Sequence, residues 1–131
     1  HGISIAAHSQ KYRTRLYEQL KRAKVMMVTC PTAWIDTRRS NMISLSHNSM
    51  TPVDEMIPAG VTVALGTDNV CDAMVPWCSG DMWHELQLLA TGCRFDDFEN
   101  LVKIASVNGR KVLGLDPYDS ETAPVTADKK E

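Results

Sequence analysis

Three things are scarce in this 131-residue sequence: paired cysteines, long apolar runs and an excess of either charge. Cys30, Cys71, Cys78 and Cys93 are scattered, so neither a compact disulfide framework nor a paired CxxC zinc site fits. Reduced thiols and a cytoplasmic location are the expectation. The apolar runs around 25–28 and 61–65 are a handful of residues long, where a membrane span needs about 20. With 44% hydrophobic and 23% charged residues and a net charge of −2, the chain is neither a disordered acidic tail nor a collagen-like repeat. Residues 1–7 lack the charged and apolar regions of a secretory signal. An opening at His1 without an initiator Met, and an exposed charged run at 128–131, suggest a piece of something longer.

Charge is unevenly divided. Residues 1–50 hold eight Lys/Arg against two acids, and residues 51–131 hold six against fourteen. The basic half does not imply nucleic acid, because its cations are interleaved along one amphipathic helix and read as a solvated face.

Along 9–24, Tyr12, Leu16, Leu20 and Ala23 recur at three and four, Glu18 precedes Arg22 by four, and Ser9 is a candidate N-cap. This predicts a helix. The apolar run 25–30 ends at Pro31 and reads as a strand buried on both faces. A long polar connection, 32–50, follows, carrying Arg38, Arg39 and His47. Thr51 is expected to cap a short helical turn opened by Pro52 and ending near Met56. A second buried strand is expected over 61–65, followed by Gly66, Thr67, Asp68 and Asn69. Asp81 can cap a helix burying Met82, Trp83, Leu86, Leu89 and Ala90, with Gly92 as its stop. A last helix over 95–107 is expected to turn Phe98, Leu101, Val102 and Ala105 inward, with Asp96 and Asp97 near its positive end. Residues 1–115 form the expected folded unit and 116–131 a polar tail or linker.

Two strands separated by a helical crossover imply a parallel α/β sheet. In such sheets reactive groups gather at the carboxyl ends of strands, which points to Cys30 and Asp68. A carboxylate at that position needs a cation or hydrogen-bond donors to receive it, and an Asx-type turn or helix cap made by Asp68 and Asn69 is an equally open reading. Cys30 reads as a buried thiol. His8, His47 and His84 read as surface or packing residues. Cys71, Cys78 and His84 have no spacing that fits a closed metal site.

The run Leu65, Gly66, Thr67, Asp68, Asn69, Val70, with Asp72, Val75, Pro76, Gly80, Asp81 and Met82, resembles the last strand and following loop of the amidohydrolase superfamily. The branch it looks most like contains cytosine deaminase and isopropylammelide amidohydrolase. His1, Arg15, Leu16, Leu20, Lys21, Val28 and Pro31 match the stretch that starts at the histidine ending the sixth strand. Ala105, Asn108, Gly109, Arg110, Val112, Leu113, Gly114 and Leu115 resemble the closing helix.

The resemblance implies the carboxyl-terminal portion of a (β/α)₈ TIM barrel, strands seven and eight with flanking helices, incomplete as it stands. It implies a metal-dependent hydrolase acting on carbon–nitrogen bonds, by deamination or amine removal from a small cyclic nitrogen compound. One divalent ion, zinc or iron, would activate a water, with its other ligands upstream of His1. Asp68 would ligate the ion and take the water's proton, His1 would polarise the carbon under attack, and Asn69 would bind the substrate's amide edge. Asn69 stands where cytosine deaminases have a second aspartate. Met74 stands where both relatives set a tryptophan against the ring. The fragment by itself is expected to be inactive, because a metal site needs three or four ligands. A homo-oligomer, or association with the remaining barrel portion, is expected, with a small-molecule substrate and neither nucleic acid nor membrane as partner. The reading from another class is a non-catalytic α/β interaction module whose exposed strand edges bind a partner chain.

Overall fold

A computed structural model describes residues 2–36 and 50–115 of the chain. A short 3₁₀ turn, Ile3–Ala7, leads into helix α1, Gln10–Arg22. Ser9 caps α1 as expected, its side chain accepting from the Tyr12 backbone N–H at 3.4 Å. Strand β1 covers Met27–Thr29 and strand β2 covers Val63–Leu65. They pair in parallel, Met27 opposite Val63, Val28 opposite Ala64 and Thr29 opposite Leu65. Both strands are shorter than the apolar runs that announced them, with one further ladder bond at each end, from the Met27 N–H to the Thr62 carbonyl and from the Gly66 N–H to the Thr29 carbonyl, both 2.9 Å.

The parallel pair requires a crossover, and among the described residues the connection holds two helices. Helix α2, Pro31–Asp36, begins on the proline that ends the β1 run. The polar connection expected over 32–50 thus opens on a helix, and Pro31 at the first helical position is its sequence signal, since proline's fixed φ suits a helix start and its lacking N–H costs nothing there. Ala33 and Trp34 go inward while Ile35 is exposed. Helix α3, Val53–Met56, is the expected short turn, but Pro52 rather than Thr51 is its N-cap and no side chain caps it.

Helix α4, Met82–Cys93, starts on Asp81, whose carboxylate accepts the Trp83 N–H at 2.9 Å. Its buried residues are Glu85 and Leu89, while Met82 and Trp83 face solvent, contrary to the expected stripe. The chain leaves α4 through Arg94 in the left-handed conformation, two residues beyond the expected stop at Gly92. The expected final helix is two. Helix α5, Phe98–Ala105, breaks at Ser106, whose hydroxyl donates to the Val102 carbonyl at 2.6 Å in place of a regular ladder bond, and helix α6, Val107–Val112, follows. In α5 the inward residues are Leu101 and Ile104. Phe98, Val102 and Ala105 are exposed, so of the four inward residues expected only Leu101 holds.

One core runs between the strands and the helix layer: Trp34, Val53, Met56, Val63, Leu65, Leu89 and Ile104 are all nearly sealed, with Tyr17 of α1 beside them. Burial of each such side chain contributes about 1.5–3 kcal/mol. A clamp on its rim joins α1 to α3, with the Arg13 guanidinium donating to both Glu55 carboxylate oxygens at 2.8 and 2.6 Å and the Tyr17 hydroxyl to one of them at 2.9 Å. Among the described residues no helix is long and apolar enough to cross a membrane.

Candidate functional site

The carboxyl ends of β1 and β2 lie side by side, and the candidate residues leave from them. The Gly66 N–H donates to the Thr29 carbonyl at 2.9 Å, extending the ladder one step past β2. Glycine is required there. A Cβ on Gly66 would come within 2.8 Å of Val28 Cγ1, closer than carbon atoms approach, so a larger residue would push the strands apart. Three residues past β2, Asp68 adopts φ 63°, the left-handed region that aspartate tolerates better than most residues. Its side chain is exposed.

Beyond Asp68 the chain closes on itself. The Asn69 amide donates to Asp72, and the other Asp72 oxygen accepts the Met74 and Val75 N–H groups at 2.8 Å each. The Asx-type turn that the sequence offered to Asp68 and Asn69 is thus made by Asp72, with Asn69 held against it. These donors, the Asn69 amide first, pull the Asp72 carboxyl below its usual range. Met74 is 77% exposed and Trp77 85% exposed, an apolar fringe beside the rim. The Cys71 N–H donates to the Cys78 carbonyl at 2.9 Å and closes the loop.

Cys30, directly after β1, is buried, as the sequence indicated. Burial first, then the nearby Asp68 and Glu85 charges, raises its thiol to about 11. Next to it sits a group the sequence reading passed over. Glu85 of α4 is 1% exposed and receives the Thr32 N–H at 2.9 Å, the Thr32 hydroxyl and the Cys78 thiol, the last at 3.6 Å. An acid in line with Leu89 on the inward face of α4 was the available signal.

Of the other candidates, His1 and His47 lie outside the described residues, so the pairing of His1 with Asp68 is not described. His8 is exposed and its ring stacks on Tyr12, centroids 4.4 Å apart. His84 is exposed on α4. All four cysteines are free thiols. Among the described residues, no three His, Cys, Asp or Glu side chains gather so as to hold a metal ion. A cavity of about 530 Å³ lies apart from the rim, lined by residues that include Arg13, Asp54, Glu55, Cys93 and Arg94.

No protein-family model matches the chain. An uncharacterised Haemophilus influenzae protein is 55% identical over 58 residues, 44% of this chain and 21% of that protein, so the chain spans about a fifth of that relative's length. A second, much shorter one from the same organism is 65% identical over 43 residues, 33% of this chain and 96% of its own length. Among solved structures, the chain is similar to two crystal structures of 5-methylcytosine deaminase from Klebsiella pneumoniae, one liganded with 5-fluorocytosine and one with phosphonocytosine. The TM-scores are 0.74 and 0.73, each at 22% identity over 86% of this chain and 28% of the deaminase. The mixed α/β fold with its parallel strand pair is therefore similar to part of the fold of that deaminase.

Proposed function

We propose that this chain, which belongs to one family with the short Haemophilus influenzae protein 65% identical to it, is the carboxyl-terminal part of an amidohydrolase-type barrel. On this reading β1 and β2 are strands seven and eight of a hydrolase that removes ammonia or an amine from a small cyclic nitrogen compound. The observation that carries it is Asp68, three residues past the carboxyl end of a buried parallel strand whose ladder to the neighbouring strand continues through the Gly66 N–H to the Thr29 carbonyl. A carboxylate on that rim has the support of two paired strands beneath it and solvent access above, which general acid/base work and metal ligation both need. Likeness in fold to a deaminase supports the reaction class.

The described residues do not by themselves make a metal site, and Asp68 offers one carboxylate where three or four ligands are needed. The proposal gives this chain one ligand and proton acceptor, Asp68, and one substrate contact, Asn69, with Met74 at the edge of the substrate space and His1 as the group facing the reacting carbon. The other ligands to zinc or iron come from a segment preceding His1, and the isolated chain is inactive. Four free thiols fit a cytoplasmic location.

The test extends the polypeptide by the sequence that precedes His1, loads it with zinc or iron(II), and measures ammonia or alkylamine released from cytosine-type and triazine-type rings. Release is expected, with Asp68→Asn losing at least about a hundredfold of it. Release from the 131-residue chain alone would overturn the division of the site. Undiminished release from the Asp68→Asn variant would remove Asp68 from it.

A second reading rests on the sheet. Among the described residues β1 has a single neighbour, β2, and its other edge offers backbone groups to a further strand. A self-associating chain, or one that captures the rest of a barrel, would use that edge. Sedimentation of the purified chain distinguishes the cases, since a monomer at all concentrations argues against self-association.

A further inference from the structure

Glu85 is nearly sealed from solvent, and among the described residues its partners are neutral donors rather than a cation. A carboxylate is costly to bury, and an apolar residue would fill the same place on α4 more cheaply. What distinguishes the position is where the donors come from. Thr32 stands two residues past Cys30, on the segment leaving β1. Cys78 belongs to the loop leaving β2, and its sulfur lies 3.6 Å from Glu85 Oε1 and 3.5 Å from the Thr67 carbonyl, so that its single proton serves both. The Thr67 carbonyl is the atom group immediately before Asp68.

We propose that Glu85 is a positioning residue: from α4 it grips the segment after β1 through Thr32 and the loop after β2 through Cys78, and so fixes where Asp68 stands relative to Cys30. The importance of that placement for chemistry rests on the reading of Asp68 as the site carboxylate; the grip itself does not. Bonds from two strand ends to one side chain remove the relative sliding of those ends. Strand pairing cannot do this alone, because the ladder ends at Gly66. Glutamine is the informative substitution. It keeps the shape and can still accept the Thr32 N–H and donate to the Thr32 hydroxyl, but its NH2 then meets Cys78, whose thiol loses its acceptor on α4 and accepts only weakly, so the grip on the loop after β2 is loosened.

The test uses the 131-residue chain, isotopically labelled, and follows amide hydrogen exchange. In Glu85→Gln, exchange at Gly66, Thr67 and Asp68 is expected to rise at least about tenfold while α5 amides stay within about twofold. Should Glu85→Gln fail to fold, the Thr32→Val and Thr32→Ser pair decides. Valine removes the hydroxyl donor and should loosen residues 66–68 selectively, whereas serine retains it and should not. Equal loosening everywhere, or exchange at residues 66–68 unchanged in these variants, would overturn the proposal. None of these measurements involves turnover, so a failed ammonia assay would leave this result standing and a failed exchange result would leave the hydrolase reading standing.

Discussion

At the scale of single residues, the groups with the most partners are acids. Glu55 accepts from Arg13 and Tyr17, and the Arg13 hydrogen bonds hold its carboxyl below its usual range. A carboxyl whose folded pKa is depressed stabilises the fold above its unfolded value of 4.5, and that contribution is lost as pH falls through the lower folded value. Acid unfolding followed by circular dichroism should therefore show a stability decline beginning near pH 4.5, and Glu55→Gln should flatten it. Arg13→Met should lower stability by about 1–2 kcal/mol in urea titrations, because two charged hydrogen bonds to a part-buried carboxylate go at once. Thr29 gives the opposite sign. Its hydroxyl is buried without a hydrogen-bond partner among the described residues, so Thr29→Val should leave stability unchanged or raise it by about 1 kcal/mol.

At the scale of elements, the sequence was most readable where one local rule settles the outcome. Ser9 and Asp81 cap the helices they were expected to cap, and both apolar runs contain a strand. It was least readable where tertiary packing chose which part of a broad apolar face to bury. Helix α5 sets Phe98, Leu101, Val102, Ile104 and Ala105 on one arc opposite Glu99, Asn100 and Lys103, and packing against β2 and the neighbouring helices buries only the Leu101 and Ile104 edge of that arc. Leu101→Ala should cost about 2–4 kcal/mol, while Phe98→Ser should change stability by less than about 0.5 kcal/mol. Thermal melts of the two variants check this, and a reversed order would mean that α5 is rotated. At the candidate site, the place of Asp68 was legible, because a carboxylate following a short apolar run is conspicuous, and the structure sets it three residues past β2. Glu85 was not, because its partners Thr32 and Cys78 lie 53 and 7 residues away and no spacing rule connects them.

At the scale of the molecule, the described residues hold a two-stranded parallel sheet and match in fold 28% of a larger protein. Their helix layer is a sealed core with Met56 and Leu89 fully buried. This division predicts how the chain responds to metal. Zinc at millimolar concentration should leave its melting temperature unchanged, since no set of described side chains would gain affinity on folding. A rise of several degrees would point to a site assembled with residues outside those described.

The hydrogen bond from the Asn108 amide to the Val63 carbonyl, 2.8 Å long, spans 45 residues of sequence. A ribosome emits β2 first and the asparagine that meets it only after α4 and α5 have followed, so during synthesis the strand waits with that carbonyl unanswered. Nascent chains stalled before Asn108 should be digested by protease at β2, and those released after α6 should resist.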